Sequence, residues 1–154
     1  MSISRLILSM MILGFVSLVS CSKDETTPTQ TDTYTKTMTA TIDGTAWDGS
    51  SSATVQKVGT MTTITGTGAN GQTITFSLND PIMVHFTQLG SCTFQVIEGS
   101  TNIWSTKSGL SSLITIDTAT STIIGGKFNF TASALSGAST GSKIATEGKF
   151  LLKY

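Results

Sequence analysis

The sequence predicts an all-β fold: a single antiparallel β-sandwich or small β-barrel domain. Thr, Ser and Gly dominate its 154 residues, and Thr, with its branched Cβ, favours extended backbone and disfavours helix interiors. After Tyr34 apolar and polar residues alternate with the period of two expected for strands. No segment of ten or more residues shows helical spacing, and both prolines, Pro28 and Pro81, lie outside the patterned segments.

In chain order, Met38, Ala40 and Ile42 alternate with Thr37, Thr39 and Thr41, and Asp43-Gly44 supplies the positive-φ pair of a tight turn, with Trp47 just beyond it. Residues 60–65 and 72–78 flank an Asn70-Gly71 pair, with Ile74, Phe76 and Leu78 on one face and Thr73, Thr75 and Ser77 on the other. This is the clearest hairpin in the chain. Asn79-Asp80-Pro81 interrupts the pattern; short strands are expected over 82–87 and 91–97, followed by an irregular stretch over 99–112. Cys92 shares the parity of Phe94 and Val96, so it is expected as a buried, inert thiol. Strands follow over 113–117, 122–132 and 143–154, which brings the total to about eight or nine, short strands with polar outer faces as in a sandwich or barrel. The last two repeat a Gly-Lys-Phe pattern, at Gly126-Lys127-Phe128 and Gly148-Lys149-Phe150, and are expected to pair, with Tyr154 completing the buried face.

Ahead of this domain, residues 1–20 carry one positive charge, Arg5, then an uncharged apolar run over 6–18 and small residues, the layout of a secretory signal peptide. A run of about 13 residues is short of the ~20 that a membrane-spanning helix needs. Leu18-Val19-Ser20-Cys21 resembles the lipobox of bacterial lipoproteins. That resemblance implies cleavage before Cys21, a diacylglycerol on its thiol and a further acyl chain, such as palmitate, on its amine. Two or three chains anchor stably where one holds only marginally. Ser22-Lys23-Asp24-Glu25 resembles the lysine-plus-acid export tag of surface-exposed Bacteroidota lipoproteins. The expected organisation is a signal over 1–20, a polar, disordered tether over 21–33, and a β domain over 34–154. The implied location is the outer membrane, lipid-anchored, with exposure at the cell surface.

Residues 39–47, 126–132 and 147–154 together resemble a family of uncharacterised Bacteroidota lipoproteins of about this size. The resemblance covers most of the domain and implies a β-rich, outer-membrane-associated protein. Its motifs are core strands and turns, so it implies no catalytic residues.

Nine basic and nine acidic residues balance to a formal net charge of zero, which leaves no electrostatic footprint for nucleic acid. With Cys21 acylated, Cys92 has no partner for a disulfide within the chain. Gly66-Thr67-Gly68-Ala69-Asn70-Gly71 has the letter pattern of a dinucleotide loop, but the segment after it alternates as a strand and offers no helix N-terminus to phosphate, so it reads as a hairpin loop. His85 is the sole histidine; it reads as a solvent-side strand residue, and no cofactor or metal site is expected. Asp43, Asp48, Asp80 and Asp117 sit near turns, where Asp caps its own backbone. Asp117-Thr118-Ala119 resembles a Bacteroidota O-glycosylation acceptor, with Thr118 exposed on a turn.

Trp47 and Trp104 are the candidate ligand-stacking residues. Trp47 follows an apolar strand and reads mainly as core, whereas Trp104 falls in the irregular stretch. These observations favour a non-enzymatic, lipid-anchored β domain that binds a glycan or a protein partner. Two alternatives remain open at this point: a hydrolase using carboxylates brought together by folding, among Asp43, Asp48, Asp80, Asp117 and Glu147, and a barrel carrying an apolar ligand in its interior.

Overall fold

The computed structural model describes residues 34–85, 87–89, 93–106 and 112–154. The signal, Cys21, the tether over 21–33 and Cys92 lie outside the described residues. Within them the protein is all-β, one strongly curled antiparallel sheet in the form of a half-barrel.

The first hairpin joins β1 (Thr37–Ile42) to β2 (Thr45–Asp48). Asp43 and Gly44 have φ of 49° and 80°, the paired positive values that let a two-residue turn follow the right-handed strand twist. β3 (Thr54–Val58) and β4 (Met61–Thr67) form a second hairpin, and β5 (Thr73–Asn79) pairs with β4 around the loop over 68–72. Here the alternation has its full consequence. Ile74, Phe76 and Leu78 are buried, while on the other face Thr63–Ser77, Thr65–Thr75 and Thr67–Thr73 face each other as hydroxyl pairs at 3.1, 3.1 and 2.8 Å. Cross-strand hydroxyl pairs of this kind stabilise a sheet by a few tenths to about 1 kcal/mol each.

β6 (Thr87–Leu89), β7 (Thr93–Glu98), β8 (Asn102–Ser105), β9 (Ser112–Ala119), β10 (Ile123–Ser136) and β11 (Ser142–Lys153) complete the sheet. The strand order is β2-β1-β11-β10-β8-β7-β5-β4-β3, with β9 also on β10 and β6 on β9. β10 therefore forks the sheet: its first half pairs with β9 and its last residues with β8. The two Gly-Lys-Phe repeats pair as the sequence leads one to expect, with Gly126 opposite Phe150, Lys127 opposite Lys149 and Phe128 opposite Gly148. Each glycine faces the other repeat's phenylalanine, and a Cβ on Gly148 would strike the Phe128 ring.

Phe76, Phe94, Phe128, Phe130 and Phe150, from β5, β7, β10 and β11, fill the centre. Ring centroids lie 4.6 Å apart for Phe94–Phe130 and 4.7 Å for Phe76–Phe94, close enough for the pairwise aromatic gain of about 0.5–1.5 kcal/mol beyond area burial.

The register defines two ends. The base carries Tyr34, the β3–β4 turn, the segment over 80–85 and Tyr154; the crown carries Asp43-Gly44 and the loops over 68–72, 99–101 and 137–141.

Several expectations need correction. Residues 82–85 form no strand, because pairing resumes only at Thr87. The stretch expected to be irregular contains β8, which brings Trp104 opposite both Val96 and Ala134. Tyr154 does not complete the buried face: it lies past the end of β11 and is 44% exposed, although its N–H donates to Thr122 O.

Candidate functional site

Both tryptophans belong to the core. Trp47 is 4% and Trp104 6% exposed, which agrees with the reading of Trp47 as mainly core and leaves neither Trp47 nor, against expectation, Trp104 an open indole face for stacking. Trp47 Nε1–H donates to Gln72 O at 2.9 Å and Trp104 Nε1–H to Thr140 O at 3.0 Å. Trp47 also accounts for the glycine pattern at 66–71. A Cβ on Gly66 would meet Met38 Sδ at 2.6 Å and the Trp47 ring at 3.3 Å, and one on Gly68 would meet Trp47 Nε1 at 2.7 Å, while Gly71 turns the loop with φ of 76°. The glycines make room for an indole.

The site that the fold does build is a groove of about 570 Å³ on the outer face of β2, β1 and β11. Thr39, Thr41, Ala46, Asp48, Glu147 and Lys149 line it, backed by Ala40 and Trp47. Register sets this grouping, with Thr39 lying between Asp48 and Lys149, and Thr41 between Ala46 and Thr146. Glu147 enters through a bulge: β11 uses one more residue than β1 between the Thr39–Lys149 and Thr41–Thr146 pairs, and Glu147 takes φ of 54°. Bulges of this kind re-aim a side chain, and a non-glycine residue at positive φ persists only where its surroundings hold it. Here the Thr41 hydroxyl donates to Glu147 Oε2 at 3.3 Å. On the far side, hydrogen bonds from the Ser50 side chain and backbone hold the Asp48 carboxyl below its usual range, the Ser50 N–H lying 2.8 Å from Oδ1. Asp48 is therefore ionised at neutral pH. The groove offers carboxylate acceptors, threonine hydroxyls and an ammonium, the inventory that recognises a hydroxyl-rich or polar ligand.

The other expected residues are dispersed. Asp80 pairs with Lys57 at 2.9 Å, Asp117 with Lys127 at 3.9 Å and Asp43 with Lys143 at 3.3 Å. No cluster of three or more metal-ligating side chains occurs among the described residues. His85 is exposed, though on a turn with φ of 60° and not in a strand. Thr118 is likewise not on a turn; it lies half-buried within β9 opposite Gly125. Of the five acids considered from sequence, Asp48 and Glu147 are the two that one groove unites. The contributions of Thr39, Thr41 and Lys149 were missed, because they depend on which strands become neighbours. The one local signal was Glu147 directly before Gly148, an acid at a strand glycine, which is where bulges form.

No protein-family model, curated protein or solved structure matches this chain.

Proposed function

We propose that the protein is a lipid-anchored, non-enzymatic β domain of the outer membrane or cell surface, in the manner of the Bacteroidota lipoproteins it resembles, and that it binds a glycan in the groove between Asp48 and Glu147. The bulge at Glu147 carries this reading, since it directs a carboxylate onto an outer face that otherwise follows the regular alternation. Acid, hydroxyl and ammonium groups spaced across a shallow groove suit the hydroxyls of sugar rings better than an apolar ligand. The five phenylalanines at the centre occupy the space that an interior carrier site of roughly 300 Å³ or more would need.

The anchor is tested by intact mass and palmitate labelling of the full chain against Cys21→Ser, with label on the native chain alone expected. Binding is tested on a glycan array with the same protein beside Asp48→Asn and Glu147→Gln. Retention of a glycan by the native chain and its loss in both variants is the expected result; silence across a broad array, with capture of a protein through the same residues, would make the ligand a protein partner. The shared groove also supports a second reading, a hydrolase working through the Asp48 and Glu147 carboxylates. Turnover of a bound glycan that Glu147→Gln abolishes while binding persists would establish it.

A further inference from the structure

Base and crown differ in chemistry. Of the large hydrophobic side chains exposed among the described residues, Val58, Met61, Met83, Val84 and Tyr154 lie at the base, and two, Leu135 on β10 and Ile144 on β11, lie towards the crown. Register joins Val58 to Met61 and leads from them to the segment over 80–85. Val58 faces Met61 across the β3–β4 turn, and Met61 faces Asn79. Asp80 N–H then donates to Thr60 O at 2.8 Å, and Lys57 reaches Asp80 at 2.9 Å. β11, which ends beside Tyr154, contacts β3, where Lys57 and Val58 lie.

From Asp80 the chain crosses the base from β5 towards β9, where His85 N–H donates to Ile116 O at 2.7 Å. Within this strap Ile82 packs on the core, whereas Met83 and Val84 remain 46% and 39% exposed. Packing of the domain explains the first residue and not the next two. Exposed apolar residues gathered at one end mark an interaction surface.

The chain also enters the domain here. Tyr34 Oη–H donates to Leu151 O at 3.1 Å, and Lys153 Nζ sits 4.4 Å over the Tyr34 ring. Cys21 precedes Tyr34 by 13 residues, which even fully extended reach at most ~47 Å. Lys57 and Lys153 place ammonium groups at this end, Lys57 paired with Asp80 and Lys153 over the Tyr34 ring. Lysines beside apolar side chains suit the boundary between anionic headgroups and acyl chains.

The geometry points to the base as a lipid-facing surface: Val58, Met61, Met83, Val84 and Tyr154 rest at the headgroup–acyl boundary of the bilayer that holds the chain, so that the strands stand away from it with the crown outermost. This rests on the lipid-anchored reading above.

The test uses the full acylated chain in phosphatidylethanolamine–phosphatidylglycerol vesicles whose acyl chains carry bromine, a contact quencher of indole. Met61→Trp is compared with Thr101→Trp at the crown; the buried native tryptophans contribute the same background to both. Fluorescence of Met61→Trp is expected to fall about twofold, as for an indole seated ~5–10 Å into the interface, and that of Thr101→Trp to stay level. Adding Val58→Glu and Met83→Glu, both at exposed positions, is expected to remove the quenching. Equal quenching of the two reporters with the acyl mass intact overturns the lipid-facing base and leaves the anchor standing. A product without acyl mass overturns both. A dimer in sedimentation that Val58→Glu dissociates, without quenching at Met61→Trp, gives the surface to a second copy and overturns the inference.

Discussion

Trp47 is held by shape and Trp104 by charge, although both are buried and both donate Nε1–H to a backbone carbonyl. Around Trp47 the chain supplies Gly49, Gly66 and Gly68, each with no room for a Cβ beside the indole. Around Trp104 the notable neighbour is Lys143, whose Nζ lies 5.0 Å from the ring centroid and is fixed by Glu98 at 2.7 Å and Asp43 at 3.3 Å. A niche made of backbone tolerates no added atom and is indifferent to pH or salt. One roofed by an ion cluster tolerates small changes of volume and responds to both. Gln72 joins them, because its carbonyl receives Trp47 Nε1–H while its side-chain amide donates to Glu98.

The largest effect is expected from Trp47→Ala. Loss of a buried tryptophan costs about 3–5 kcal/mol where the surroundings cannot collapse, and glycine walls have no side chains with which to fill the void. Urea unfolding of the full chain followed by circular dichroism measures this. A loss below about 0.5 kcal/mol, the scale of an ordinary surface change, would mean that the niche is not tightly packed.

Next in size is Gly68→Ala, whose Cβ would sit 2.7 Å from Trp47 Nε1; overpacking of this kind costs about 1–3 kcal/mol. In a Trp47→Leu background the same substitution is expected to cost little, because the clashing atom is gone, with a coupling in the range of about 0.5–3 kcal/mol for residues in contact. Additive losses would show that Gly68 is needed for its backbone alone.

This pair also marks how far the sequence could be read. The β4–β5 hairpin was legible, since seven-residue strands with strict alternation leave one face for the core. The pairing of β10 with β11 was legible from the repeated Gly-Lys-Phe. By contrast, β8 is four residues long and sits among glycines and serines, so its period was too brief to separate Trp104 from a loop. The fork at β10 was hidden for a different reason: one strand there serves β8 and β9 in succession, a choice made by the curl of the whole sheet. The groove shows both cases at once. Asp48 and Glu147 were visible as acids, but their meeting needed the order β2-β1-β11, and the bulge that aims Glu147 is a non-local slip of register. The glycines at 66 and 68 were legible as part of the β4–β5 hairpin, yet their cause is Trp47, nearly twenty positions upstream.

The smallest effect separates the two niches most cleanly. Lys143→Met keeps much of the volume and removes the charge, and loss of one cation–π contact with a partly exposed ion pair costs roughly 1 kcal/mol. The hydrogen bond with Glu98, followed by that with Asp43, raises the Lys143 ammonium above its ordinary value of 10.5, against the opposing effect of burial. A raised lysine binds its proton more tightly in the folded than in the unfolded chain. Its contribution is therefore complete below the ordinary lysine range and is lost as pH rises through the folded value. Native stability is thus expected to fall between neutral pH and the region above 10.5 by more than that of Lys143→Met, with the two curves converging at the alkaline end. Lys57, also raised by its hydrogen bond with Asp80, is common to both proteins and drops out of the difference. Trp47→Leu, by the same comparison, is expected to run parallel to the native curve at every pH, and a pH-dependent gap there would erase the distinction between a niche built by shape and one built by charge.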